Sequence, residues 1–355
     1  MIDDAPPRLG SRLRTGEVRR VLFFGKSMSR TRCSAALVAA LREHGLEVRW
    51  RNLATLRRWT GRTMALRLAR REFASYRPDL VFVFFRDLPL PLLTEFRSAA
   101  RIVVWCEEAL ESFDASIVDY FAQADLVCMS NPARFALLRE HGLDNMMFAM
   151  SGFSPDFHRP ARAQRPVRDV AFIGGPGRHG QRAEFLARVS ERFDTEVFGQ
   201  HWERWTPHYP QLRVRGRVTP RGYARVCASS RIVLGINEVN DDVCYFSNRT
   251  FLTLACAGFH LTHYVPQLER VFRDGEHLAW FKDRDEALDK IAEWLPRGEA
   301  RAHVAAAGHD LVQKQHRYAH RIARVLAVLR AGMPADPIAQ LAWPSPHGVA
   351  PRSGE

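Results

Sequence analysis

The sequence predicts an α/β protein built as two Rossmann-like, doubly wound parallel-sheet domains facing a cleft, on three observations. Its 355 residues exceed the roughly 250–300 over which a single hydrophobic core keeps growing. Short β-branched and aromatic runs alternate with stretches of helical spacing along most of the chain. One proline-rich interruption near the middle divides that alternation into two series.

In the first series, strands are expected at 21–24, 47–50, 80–85, 102–105, 126–129 and 147–149, separated by helical stretches such as 34–44 and 134–141. Several of these runs are apolar at every position, as strands covered by helices on both faces must be, which makes the sheet parallel. The segment SPDFHRPARAQRPVR at 154–168 carries three prolines and no apolar period, and reads as an interdomain connection. The second series places strands at 169–173, 195–198, 231–236, 259–262 and 277–280, and helices at 181–192, 221–228, 248–257 and 283–294. A long helical stretch over 300–330 follows. The expected organisation is a tail at 1–18, an N-terminal domain at 19–155, a linker at 156–167, a C-terminal domain at 168–312, a terminal helix at 313–331 and a second tail at 332–355. Both tails are rich in Pro, Gly, Ser and Arg without periodicity, a composition that leaves chain unstructured.

The formal charge of +13 raises the question of an anionic partner. Lys26, Lys282, Lys290 and Lys314 are the four lysines, so 48 of the 52 basic residues are arginine, scattered over almost every segment with no basic stripe bearing interleaved aromatics. Nucleic acid is therefore disfavoured against an anionic membrane surface or a phosphate-bearing ligand. Six cysteines without a C-x-x-C pair argue against a zinc ribbon or a secreted disulfide framework. No apolar run approaches the roughly 20 residues of a membrane span, and the first twenty residues lack a signal-peptide core. A cytoplasmic protein, with peripheral contact at the inner membrane face as a variant, fits these features. His316 and His320 have a spacing that suits two metal ligands on one helix face, but no third ligand follows, and a solvated basic face is the preferred reading. No metal is expected.

Open parallel sheets bind ligands outside the carboxyl ends of their strands. After the first strand of the second series comes Gly174-Gly175-Pro176-Gly177-Arg178-His179-Gly180-Gln181-Arg182, a glycine-rich loop opening a helix. Bare backbone there can approach a phosphate, and Arg178 or Arg182 can add a charge-assisted hydrogen bond; the plain alternative is a surface turn. Gly175-x-Gly177-x-x-Gly180 also fits the dinucleotide fingerprint, but the following strand runs into Gly199-Gln200-His201 and not into the acid that holds a ribose, so an NAD(P)-binding oxidoreductase is disfavoured. Trp202 and Trp205 read as packing residues ahead of a stacking platform.

The stretch Ser247-Asn248-Arg249-Thr250-Phe251-Leu252-Thr253-Leu254-Ala255-Cys256-Ala257-Gly258, then Val265-Pro266-Gln267-Leu268-Glu269, resembles the donor-binding half of group-1 GT-B glycosyltransferases, especially their CgeB-type branch. The Asp156–Pro160 segment, Tyr223–Asn237 and His316-x-Tyr318-x-x-Arg321 are similar too, so the likeness covers about 154–326. The resemblance implies transfer of a sugar from a nucleotide-diphosphate sugar, without an obligatory metal, to a glycan, lipid-linked or small-molecule acceptor. It also implies a final helix crossing back onto the N-terminal domain. Ser247, Asn248, Arg249 and Thr250 suit a diphosphate at a helix start. With Gly174, Gly175, Gly177, Arg178, Arg182, Gly199, Asn237 and Glu238 they form the expected donor site. The family commonly carries a ribose-binding glutamate where Leu252 stands; Glu238, Asp241 and Asp242 are the nearest substitutes in sequence. That departure keeps open a non-catalytic nucleotide- or sugar-binding protein. A base for the acceptor, if the sugar inverts, would come from Asp87, Glu107 or Glu108 on the strand-end loops of the first domain, with Gly25-Lys26-Ser27-Met28-Ser29-Arg30 contacting donor or acceptor across the cleft.

Overall fold

A computed structural model describes residues 14–26, 33–112, 114–177 and 179–333. The N-terminal domain alternates strands β1 (Arg20–Phe24), β2 (Glu47–Arg51), β3 (Leu80–Phe84), β4 (Arg101–Cys106), β5 (Leu126–Met129) and β6 (Met146–Phe148) with helices α1 (Cys33–Glu43), α2 (Leu53–Tyr76), α3 (Leu90–Arg97), α4 (Ala115–Ala122) and α5 (Phe135–Glu140). Its strands lie in the order β2-β1-β3-β4-β5-β6, all parallel. Every residue of β4 and β5 is buried, whereas β2 (EVRWR) buries only Val48 fully, which is why β2 forms the sheet edge.

The C-terminal domain holds β7 (Arg168–Ile173), α6 (Gln181–Arg192), β8 (Thr195–Phe198), β9 (Val214–Arg215), α7 (Pro220–Ala228), β10 (Ser230–Gly235), α8 (Arg249–Ala255), β11 (His260–His263), β12 (Ala279–Phe281), α9 (Arg284–Trp294) and α10 (Gly298–Gln315). Its order, β12-β11-β10-β7-β8-β9, reverses direction between β7 and β10, so the carboxyl ends of these two strands flank a natural binding crevice.

Three expectations need correcting. The helix expected over 300–330 is two helices, α10 and α11 (Tyr318–Ala331), broken at His316 and Arg317. Arg317 is extended (φ −72°, ψ 151°) because it bridges in parallel with Phe153, whose carbonyl accepts from Tyr318 N at 3.0 Å. The last strand begins at Ala279 and not at 277, since the His277 ring accepts from Arg273 N and its carbonyl abuts Gly308 of α10. Residues 14–18 are fixed, not loose: Arg14 pairs with buried Asp125 at 2.9 Å, and Arg101 donates to the carbonyls of Gly16 and Glu17. The remainder of both expected tails lies outside the described residues.

After α10 the chain returns to the first domain. Tyr318, Ile322, Val325 and Leu329 of α11 share one buried cluster with Leu37 and Leu41 of α1. The two domains also meet through a common apolar cluster joining Phe135, Met150 and Phe153 to Phe251, Leu254 and Phe272. Gly152 fits between them only without a side chain: a Cβ there lies 2.8 Å from the carbonyl oxygen of His316.

Candidate functional site

At the carboxyl end of β7 the backbone of Gly174 and Gly175 runs over Gly199, at the end of β8. Gly174 N donates to Phe198 O at 2.8 Å, and a Cβ on Gly199 would sit 2.0 Å from the Gly174 carbonyl oxygen. Trp202, 1% exposed, supports this crossing from beneath by donating its indole N–H to Gly174 O at 3.0 Å, so it packs and offers no stacking face. Gly177 (φ +81°) and Gly180 (φ +69°) turn the loop into α6; the ring of Trp205 fills the space where a Gly180 side chain would be.

Two guanidinium groups flank the loop. Arg249, first residue of α8, reaches back so that its Nη1 lies 2.8 Å from the Cβ position of Gly174, while Nη2 donates to Ile236 O at 3.0 Å and the group lies over the Phe172 ring. Arg182, in the first turn of α6 and buried, packs along Gly177 and donates to Gly175 O at 3.4 Å. The Nε–H of each is buried without a hydrogen-bond partner. Burial, together with the adjacent Arg182 charge, pulls Arg249 down to about 10, and burial lowers Arg182 as well. Glu238 approaches Arg182 at 3.9 Å. Two cations held side by side, with unspent donors and bare glycine backbone between them, form a site whose chemistry suits a dianion.

Beside the loop lies a cavity of about 350 Å³ whose wall includes His158, Tyr223 and Leu252, with Gln200, His201, Arg217 and Thr219 among its other lining residues. Leu252 thus stands on the cavity wall, at the position where the family resemblance implies a glutamate. None of its suggested substitutes lines this space: Asp242 is engaged by Arg134 (2.6 Å) and Asn131 (2.8 Å) of the other domain, Asp241 is exposed elsewhere, and Glu238 faces Arg182. Sequence reasoning missed His158. Its ring packs edge-on against Tyr223 at 5.8 Å, and burial lowers it to about 4, so it is neutral at physiological pH. His158 lies inside the Asp156–Pro160 segment that resembles the family, but its neighbours Arg159 and Pro160 do not mark it as part of a cavity wall.

The remaining expected donor residues have other partners. Asn237 is buried and braces the loop, accepting from Ser247 N at 3.0 Å and donating to His263 O. Ser247, not Asn248, caps α8 through Arg249 N (3.4 Å); Asn248 instead donates across the domain junction to Cys33 Sγ at 3.3 Å. Thr250 points into the core against His260 Nε2 (3.2 Å). Arg178 and the 27–32 part of the first loop lie outside the described residues.

On the first domain, Asp87 accepts from Lys26 N at 2.6 Å and pairs with its ammonium group at 3.2 Å. Glu107, just past β4, accepts from Trp105 Nε1 and from Tyr318 OH, both at 2.8 Å, while Glu108 is exposed. The adjacent carboxylates therefore occupy unlike surroundings and form no pair. His316, expected on a solvated face, is 1% exposed, stacks on Phe251 at 5.2 Å and bonds to Arg321 at 2.9 Å. Among the described residues no group of three or more His, Cys, Asp or Glu side chains is placed to hold a metal, and no helix is long and apolar enough to cross a membrane.

Two parallel six-stranded sheets with flanking helices, and a terminal helix that returns to the first domain, match the GT-B architecture. Residues 178–327 match the family model described as Glycosyl transferase-like. The HepE protein of Anabaena, solved with UDP and glucose, superposes with a TM-score of 0.61 at 11% identity, covering 88% of this chain and 99% of its own. Sucrose-phosphate synthase from Thermosynechococcus elongatus gives 0.66 at 11% identity over 88% and 99%. A DNA-modifying β-glucosyltransferase, studied with and without uridine diphosphoglucose, gives 0.60 at 15% identity over 87% and 99%. No curated protein sequence matches the chain.

Proposed function

We propose that the protein transfers a sugar from a nucleotide-diphosphate sugar to an acceptor held by the N-terminal domain. The observation that carries this reading is the pair Arg182 and Arg249, each with a buried unpartnered Nε–H, straddling the Gly174–Gly177 backbone. In it, the diphosphate lies across the glycine loop, the two guanidinium groups neutralise charge developing on the leaving nucleotide, and the nucleoside fills the adjacent cavity. The neutral His158 ring meets the nucleoside where a carboxylate is missing. For an inverting transfer, Glu108, exposed beyond β4, is the carboxylate left to receive the acceptor proton, because Asp87 is engaged by Lys26 and Glu107 by Trp105 and Tyr318. The family match and the uridine-nucleotide complexes of two similar folds support a uridine donor as the first probe.

Calorimetry with UDP and other nucleoside diphosphates tests the site. Arg249→Ala should weaken binding by about ten- to a hundredfold, the loss expected for hydrogen bonds to a charged group, with the circular dichroism spectrum retained. Equal affinity of the variant, or no nucleotide binding by the native chain, overturns the reading. Leu252 favours one alternative, a binding protein without turnover; a native chain that binds UDP-glucose tightly yet releases no UDP over long incubation with diverse acceptors would establish it.

A further inference from the structure

Six of the arginines lie together on one helix of the N-terminal domain. Over Leu53–Tyr76, α2 carries Arg57, Arg58, Arg62, Arg67, Arg70 and Arg71 against the single acid Glu72. Arg70 pairs with Glu95, and Glu72 is taken by Arg49 and Arg51 of β2. Among the described residues no carboxylate lies within ion-pair distance of Arg57, Arg58, Arg62 or Arg67, all of them exposed. In their midst stand Trp59, 81% exposed, and Met64, 44% exposed, two of the four large apolar side chains most open to solvent on the described surface. Gly61 (φ 79°, ψ 165°) breaks the helix between them, so the first turns, with Trp59 at their end, and the segment bearing Arg62, Met64 and Arg67 are separately oriented. The opposite face is anchored: Leu53, Ala65, Ala69 and Tyr76 are buried in the domain core.

An indole left in water costs free energy that a scaffold helix has no reason to incur, and four unneutralised guanidinium groups around it repel one another. Both costs are relieved by one environment, an anionic bilayer surface, where Trp settles at the headgroup level and each basic side chain gains about 1 kcal/mol from the surface potential. A nucleic acid would relieve the charge but offers a single tryptophan and a methionine no apolar phase. We infer that α2 docks the N-terminal domain onto an anionic lipid membrane, with Trp59 and Met64 in the interfacial layer and Arg57, Arg58, Arg62 and Arg67 over lipid phosphates. The inference stands on surface chemistry alone and does not rest on the donor site.

Vesicle co-sedimentation of the full chain tests it, comparing phosphatidylcholine with a mixture containing phosphatidylglycerol, at low and physiological salt. The native chain should bind the anionic vesicles, ignore the neutral ones, and bind less as salt rises. Reversing three charges (Arg57→Glu, Arg58→Glu, Arg62→Glu) should weaken binding about a hundredfold or more, from roughly fivefold per lost attraction. Trp59→Ser should weaken it with the salt dependence unchanged. Because all four positions are solvent-facing, unchanged thermal unfolding of the variants is expected and confirms that folding is intact. Absence of vesicle binding, equal binding of the charge-reversed chain, or a duplex oligonucleotide that binds through α2 while vesicles do not, would overturn the proposal.

Discussion

Gly174 tolerates no side chain, because a Cβ there meets Nη1 of Arg249 at 2.8 Å and the Phe172 ring at 3.0 Å. Gly174→Ala must therefore push the guanidinium off the loop or tilt the ring. Overpacking of this kind costs about 1–3 kcal/mol. The expected outcome is a modest loss of stability in urea with a loss of nucleoside-diphosphate affinity of tenfold or more; retained affinity would show that the Arg249 position is not what the ligand needs. Glu108→Gln should cut turnover by about 10²- to 10⁴-fold and leave nucleotide binding intact, the pattern of a lost general base. Unchanged steady-state rates would remove Glu108 from the chemistry. Thr250→Val belongs to the core instead: it strips the Thr250 hydroxyl from buried His260 and should lower stability by about 1–3 kcal/mol without touching affinity.

The break between α10 and α11 shows what an element owes to its partners. Arg321, 2% exposed, donates to Met150 O, Ser151 O and Gln315 O and bonds to the His316 ring, tying the segment after β6 to the end of α10. Burial lowers it to about 9. Arg321→Met, which removes those bonds while keeping bulk, should destabilise the fold by about 3 kcal/mol or more in urea titration, and a loss below about 1 kcal/mol would contradict the role assigned here. Nothing local marked the break, since no glycine or proline sits at 316–317; the cause is the bridge to Phe153, distant in sequence. Legibility elsewhere follows the same division. The glycine loop and Arg249 could be read directly, because a strand, a bare turn and a helix start are contiguous there. The fates of Asn248 and Thr250 could not, because which way each residue at a helix start faces depends on a rotation set by packing against α1 and β11. The two-residue β9 is too short to leave a pattern, and α2 concealed its exposed arginines behind a composition that is arginine-rich throughout.

At the scale of the whole molecule, burial holds His158, lowered to about 4, His260, lowered to about 3, and His316, lowered well below its ordinary 6.5, as neutral rings. Between pH 6.5 and those lower values the unfolded chain takes up protons that the folded chain refuses. Stability is therefore complete above about pH 7 and falls as pH drops through 6.5, by up to about 1.4 kcal/mol per pH unit for each ring. Thermal unfolding followed from pH 8 to 5 should show a plateau and then a steep decline; a flat profile down to pH 5 would mean the rings are protonated in place.

The polypeptide passes between the two lobes twice, and both passages touch at Phe153 and Arg317, where Gly152 lets them come into contact. Beyond that seam the lobes are tied again, by Asp242 to Arg134 and Asn131 and by Asn248 to Cys33. A change in the angle between them consequently has to break those bonds before the seam itself is strained.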